Sequence, residues 1–308
     1  MTDTVFDSTL GAVAQKTIPG GELIHSWPLS GGVSMRMAAL DVRRPDGQIC
    51  GLVIRQYPEA EIRGDESLPA REFRLLEALT EDNLPASAPV YLDVSNEILP
   101  SPYLVLERIE GETVFAPPDT RAAARKLATC LARIHAHDFR SYDHAFLPSQ
   151  AQVITRFLNR RPGSVDDIDV SGLIWASLQT AWPKLPRNAD VLLHGDFWPG
   201  NVLWKDGHIA GVIDWEDAAI GDPLADLANS RLELLWAFGE EAMCHFTSEY
   251  ERISGVDATD LHCWDLYAAF RKASQIGSWD LASEARSSMR RQLEKFVGAA
   301  CDRFGQQT

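Results

Sequence analysis

No stretch of this chain approaches the 18 consecutive apolar residues that a membrane-crossing helix needs, so no membrane span is expected. The opening segment, MTDTVFDSTLGAVAQK, has no basic start followed by an apolar core and does not read as a secretory leader. Cysteine is scarce: Cys50, Cys130, Cys244, Cys263 and Cys301 are odd in number, scattered, and form no CxxC pair. That argues against zinc and a disulfide framework and fits a reducing cytoplasm. Basic residues are outnumbered, 29 to 44, for a formal net charge of −15. Nucleic acid is therefore not an expected partner, because phosphate contacts need basic surface. The same acidity is compatible with a cationic small-molecule substrate. Internal repeats and low-complexity segments are also missing.

What is present is an ordinary globular composition, 45% hydrophobic and 24% charged over 308 residues. Length alone allows one large domain or two sharing a cleft. Short apolar alternations in ELIHSW, VSMRMAALDV and ICGLVIRQY, with an Arg44-Pro45-Asp46-Gly47 turn, predict a three-stranded antiparallel meander. AREFRLLEAL carries Phe73, Leu75, Leu76 and Leu79 at helical spacing, and PVYLDVSN and SPYLVLERI predict two more strands. The N-terminal third thus reads β-β-β-α-β-β. Beyond Gly111 the pattern turns helical, interrupted by short strands between 190 and 215. The expected fold class is α+β, with a domain of residues 1–108 and a larger, mainly helical one of 109–308.

The stretch LLHGDFWPGN places His194, Asp196 and Asn201 around a tight Pro-Gly turn. The hairpin VLWKDGHIAGVID then brings the chain back at Asp214, 13 residues after Asn201. Such a return places Asn201 and Asp214 near Asp196. Carboxylate and carboxamide oxygens are hard ligands suited to Mg²⁺. One aspartate is left to orient a nucleophile, which suits phosphoryl transfer.

HGDFWPGN with GVIDWEDAAIGDPLADLA resembles the aminoglycoside phosphotransferase family, small-molecule kinases of protein-kinase-like fold. The resemblance implies a β-rich lobe and a helical lobe with a nucleotide cleft between them. It implies ATP or GTP as co-substrate, Mg²⁺, and a hydroxyl acceptor such as an aminoglycoside-like antibiotic, an amino alcohol or a sugar. By the same resemblance Asp196 is the catalytic residue, Asn201 and Asp214 hold metal, and His194 and Asp226 support the loop. Asp222-Pro223 reads as a helix cap. Ser30, Gly31 and Gly32 fall where a phosphate-covering turn belongs. Arg55 stands where protein kinases carry lysine, and Glu72 on the following helix would hold it, with Glu77 a rival. The Glu107 carbonyl and the Ile109 amide would meet the nucleotide base.

Other readings of the same residues stay open. One is a catalytically silent nucleotide-binding protein. Another is a metal-dependent phosphoesterase using His194, Asp196, His208 and Asp214. The aromatics Trp198, Trp215, Trp236, Trp264 and Tyr267 are either core or the frame of a ligand.

Overall fold

The computed structural model describes residues 3–29, 35–58, 68–139, 144–159, 169–273, 275–277, 279 and 282–306. Its elements begin α1 (Asp3–Thr17), β1 (Glu22–Leu29), β2 (Arg36–Arg43), β3 (Ile49–Gln56), α2 (Leu68–Glu81), β4 (Pro89–Asp93) and β5 (Tyr103–Glu107). They continue with α3 (Thr120–His135), α4 (Gln150–Leu158), α5 (Asp169–Ala181), β6 (Val191–Leu193), β7 (Val202–Lys205), β8 (His208–Val212) and β9 (Ala219–Gly221). Four helices close the chain: α6 (Leu224–Phe238), α7 (Glu240–Ser254), α8 (Leu261–Ala273) and α9 (Ser283–Gln306). Among the described residues no helix is long and apolar enough to cross a membrane.

The chain forms two compact units, Met1–Glu112 with Leu203–Glu216, and Thr113–Val202 with Asp217–Thr308. Residues 203–216, placed by sequence in the domain of 109–308, thus belong with the strand-rich unit. Hydrogen bonds account for this. Trp204 and Glu112 exchange both backbone bonds, at 2.8 and 3.0 Å, and the Val212 amide donates to Pro85 O at 2.6 Å. Gly211 lets the Ile109 side chain approach so closely that an added Cβ would lie 2.3 Å from its Cδ1.

In the first unit β1 to β5 form one antiparallel sheet of order β1-β2-β3-β5-β4. The predicted turn at Arg44–Gly47 joins β2 to β3, closed by Arg44 N–H to Gln48 O at 2.7 Å. Side chains alternate across a strand, so Leu52 and Ile54 point to one face of β3 and Arg55 to the other. The Ile54 face packs with Leu40, Tyr103 and Val105 against Leu10, Val13 and Ala14 of α1. This N-terminal helix, ahead of the expected strands, was not anticipated. The second hairpin, β7–β8, turns at Asp206 and Gly207 with φ of 51° and 75°, the paired positive values that fit a twisted two-residue hairpin.

The second unit is helical except for β6 and β9, which pair in antiparallel register with Leu192 opposite Ile220. Strand β9 is too short to have shown in the sequence pattern. Helix α3 starts where the Asp119 carboxylate accepts the Ala122 amide at 2.9 Å and buries the stripe of Leu127, Cys130, Leu131 and Ile134. Helix α6 is buried all round from Leu224 to Leu234, polar residues included. Trp215 in the first unit and Trp264 and Tyr267 in the second are core residues, exposed by 5% or less.

Leu10 is 1% exposed in the first unit's core. Leu10→Ala is expected to destabilise the protein by about 2–5 kcal/mol, the range for emptying a buried leucine site. Urea unfolding of the variant against the parent measures it.

Candidate active site

In the first unit three residues far apart in sequence meet at one guanidinium. Arg55 at the end of β3 is 7% exposed. Its Nη1 donates to Glu72 Oε1 at 2.6 Å, and its Nη2 to Asp214 Oδ1 at 2.9 Å. Glu72 reaches Arg55 because it shares the inward stripe of α2 with Leu75, Leu76 and Leu79. Glu77 is exposed and plays no part in this contact. Tyr57 donates to the second oxygen, Glu72 Oε2, at 2.5 Å. Glu216 Oε2 lies 3.5 Å from Arg55 Nη2, and the Glu216 carbonyl accepts from Arg71 at 3.2 Å. Burial opposes the charge of Arg55, but Glu72, Tyr57, Asp214 and Glu216 outweigh it and raise its pKa. Burial, with Glu72 beside it, lifts the Tyr57 hydroxyl well above its ordinary value.

Asp214 follows β8 with φ 68°, a left-handed conformation uncommon outside glycine and one that aspartate and asparagine tolerate best. The turn takes the Asp214 carboxylate to Arg55 and leaves its Oδ2 for another partner. Glu107 and Ile109 lie at the end of β5, where the Glu107 amide donates to Ala88 O at 2.8 Å and the Arg108 amide to Gly51 O at 2.9 Å. Ser30, Gly31 and Gly32 lie outside the described residues.

In the second unit the HGD loop rests on one carboxylate. Asp226 on α6 is 1% exposed. Its Oδ2 accepts the His194 amide at 2.7 Å, and its Oδ1 accepts the Gly195 amide at 2.9 Å. His135 Nε2 adds a third bond to Oδ2 at 3.1 Å, and its Nδ1 faces the Tyr250 hydroxyl at 2.6 Å. Burial would raise the pKa of Asp226, but the bonds from His135 and His194 hold it below the usual carboxylate value. Gly195 sits at φ 86°, and a Cβ there would fall 2.2 Å from Asp217 O, so no other residue fits. His194 is fully buried, and its Nδ1 accepts the Asp196 amide at 3.2 Å. This bond braces the turn.

The bracing sets out Asp196 and Asn201. Asn201, on the turn Pro199–Asn201, donates its Nδ2 to Asp196 O at 2.9 Å. This leaves its Oδ1, a hard donor, for a cation. Asp196 Oδ1 receives Lys272 Nζ at 3.0 Å and Asn229 Nδ2 at 3.3 Å. Burial would raise Asp196, but Lys272 above all holds it below its ordinary value. Lys272 also meets Glu233 Oε1 at 2.6 Å. Burial opposes the charge of Lys272, and Glu233 and Asp196 overcome this and raise its pKa. Asp222 Oδ1 accepts the Leu224 amide at 3.0 Å, the capping bond read from GDP. Its carboxylate also anchors Asn188, through the backbone amide at 2.9 Å and Nδ2 at 3.2 Å.

Five residues here were not read from sequence: Tyr57, His135, Asn229, Glu233 and Lys272. The one signal was in α6, where Asn229 and Glu233 stand one turn apart among several polar residues of a helix rich in leucine and alanine. No three His, Cys, Asp or Glu among the described residues are placed to hold an ion. His208 is an exposed hairpin residue.

The α+β fold, with a brace beneath the HGD loop and a buried cation on β3, is of protein-kinase-like type. The family model described as the phosphotransferase enzyme family matches residues 28–267. The chain belongs to that family, and the resemblance read from HGDFWPGN is borne out. Viomycin phosphotransferase of Streptomyces vinaceus is 34% identical over 139 residues, 41% of this chain and 48% of that protein. Acyl-CoA dehydrogenase family member 10 of Mus musculus is 27% identical over 197 residues, 59% of this chain but 18% of that protein. The chain thus spans only a small part of that relative's length. An amicoumacin kinase solved with AMP-PNP and Ca²⁺ superposes with a TM-score of 0.68 over 97% of this chain and 96% of its own, at 13% identity, which shows a shared fold.

Asp226→Asn keeps the side chain's shape and removes its charge. A carboxylate with a depressed folded pKa contributes stability that is complete above its unfolded value, near 4, and is lost as pH falls through the folded one. The variant is therefore expected to be less stable at pH 7 by about 3 kcal/mol. Its stability should also change less between pH 5 and 3 than that of the parent. Urea unfolding across that range reads both effects.

Proposed function

We propose that the chain transfers the γ-phosphate of ATP or GTP to a hydroxyl of a small molecule. The observation that carries this reading is the bridge of Arg55 between Glu72 and Asp214, residues drawn together from three separate stretches. A fixed, always-charged guanidinium suits a triphosphate, and its planar fork meets the two carboxylates with separate arms.

Asn201 Oδ1 and Asp214 Oδ2 are the donors that would hold Mg²⁺. Two protein oxygens suit an ion that keeps several waters and takes the rest of its shell from phosphate. Bound there, the ion would neutralise charge on the phosphates. The carboxylate of Asp196 accepts the hydrogen bond of the acceptor hydroxyl and aims its oxygen at the γ-phosphorus. The new O–P bond forms as the bond to the β-phosphate oxygen breaks, and the hydroxyl proton passes to Asp196. Positioning contributes most of the rate in such a transfer. Ser30, Gly31 and Gly32 would cover the phosphates, and the Glu107 carbonyl and Ile109 amide would bind the base. The acceptor class is an aminoglycoside-like antibiotic, an amino alcohol or a sugar. The named activities of the viomycin and amicoumacin enzymes support an antibiotic. Free cysteines, none disulfide-bonded, fit action in the cytoplasm.

The silent-scaffold reading is disfavoured by the complete set of Asp196, Asn201 and Asp214. Thermal shift with ATP or GTP and Mg²⁺, followed by phosphate transfer to aminoglycosides, macrolides, amino alcohols and sugars, tests the proposal. Asp196→Ala is expected to lower transfer by about 100-fold or more while nucleotide stabilisation persists. Equal, near-zero transfer by parent and variant with intact nucleotide binding would support the scaffold. Tightly held zinc, manganese or iron without nucleotide binding would overturn the kinase reading.

A further inference from the structure

Lys272 lies five residues beyond the stretch that matches the family model. Its side chain is nonetheless buried, and its ammonium stands between two carboxylates, 3.0 Å from Asp196 Oδ1 and 2.6 Å from Glu233 Oε1. Removing an ammonium from water costs several kcal/mol, so a buried one persists only where its partners are fixed. Here they are. Asn229 and Glu233 are one turn apart on α6, and both address this cluster. Beside them Arg231 grips Asp265 of α8 with two arms, at 2.9 and 3.1 Å, and donates to Thr247 Oγ1 at 2.6 Å. Asp265 and Lys272 are two turns apart on α8 and share a face. Helices α6 and α8 are thus pinned by two ion pairs, and the ammonium is held at a set place on Asp196.

The two oxygens of Asp196 are consequently unlike. Oδ1 carries Lys272 and Asn229, whereas Oδ2 has only Asn201 Nδ2 at 3.4 Å among the described contacts. The Oδ1 of Asn229 is itself buried without a hydrogen-bond partner. An amide turned round to satisfy that oxygen would set it against Asp196 Oδ1, so the Nδ2 donation to Asp196 is the favoured arrangement.

We propose that Lys272 is a positioning residue for the acceptor hydroxyl: with Asn229 it occupies Oδ1 of Asp196, fixes the plane of the carboxylate, and leaves Oδ2 as the oxygen that takes the hydroxyl. The inference rests on Asp196 being the orienting carboxylate. It assigns a part in the reaction to α8, a helix without a recognisable motif.

The test compares Lys272→Met, Lys272→Arg and the double variant Lys272→Met/Glu233→Gln with the parent and with Asp196→Ala. AMP-PNP affinity, melting temperature, and kcat and KM with an acceptor found in the panel are measured, with hydrolysis of ATP by water as a second rate. Lys272→Met is expected to lower kcat about 100-fold, the scale of a misplaced reacting group, with AMP-PNP affinity unchanged. Lys272→Arg should regain part of the rate. The double variant, with no charge left unpaired against Glu233, should melt near the parent and stay slow. Recovery of kcat in the double variant would show that Lys272 acts on folding alone and would overturn the proposal. So would a parental kcat in Lys272→Met while Asp196→Ala is inactive. Transfer that survives in Asp196→Ala would instead bring down the reading of Asp196 and the proposal with it.

Discussion

Much of the second unit's geometry depends on one buried carboxylate. Asp226 accepts two consecutive backbone amides and one imidazole, and so fixes the path of the chain through His194 and Gly195. A loop of that shape has no strand or helix ladder to satisfy its amides, and unsatisfied buried amides are costly. Asp226 supplies the missing acceptors from a helix buried on all sides, which is why the loop can be tight and still present Asp196. Gly195 completes the constraint from above, since the carbonyl of Asp217 lies where any side chain would begin.

Each unit also contains a cation buried among more negative charge than it can neutralise. Arg55 meets Glu72 and Asp214, with Glu216 a little further off. Lys272 meets Asp196 and Glu233. Such clusters are poor stabilisers, because desolvation cancels most of the Coulombic gain. Their retention in cores that could have been apolar is explained better by use than by stability. In both, one carboxylate is buried against the cation and the other is more exposed. Side-chain exposure is 1% for Glu72 against 41% for Asp214, and 9% for Glu233 against 27% for Asp196.

The strands and helices were legible because their signals are local. The meander with its RPDG turn, the stripe of α2, and the KDGH hairpin all follow from spacing and turn chemistry. The HGD loop and Asp214 were legible because their residues lie close together in one run. Helix α1 was missed because its value lies in covering a sheet face formed by residues that come later. Strand β9 was missed because three residues carry no period. Tyr57 and His135 looked like ordinary core residues, and their importance lies in which carboxylate they touch. Lys272 could not be found from sequence at all. Its partner is 76 residues away, and the local sequence around it, RKASQI, reads as a solvated helix end. The partition of the chain was similarly hidden, because backbone bonds from Trp204 and Val212, not composition, join residues 203–216 to the first unit.

Arginine at position 55 also restricts how the protein can be silenced. A lysine in that role can be acetylated, losing its charge, or can shed its proton when buried among apolar groups. A guanidinium does neither over any range of pH a cell reaches. The buried cation on β3 of this chain is therefore closed to the commonest covalent means of switching a lysine off. Control of the protein by small chemical marks would have to act on its other charged groups.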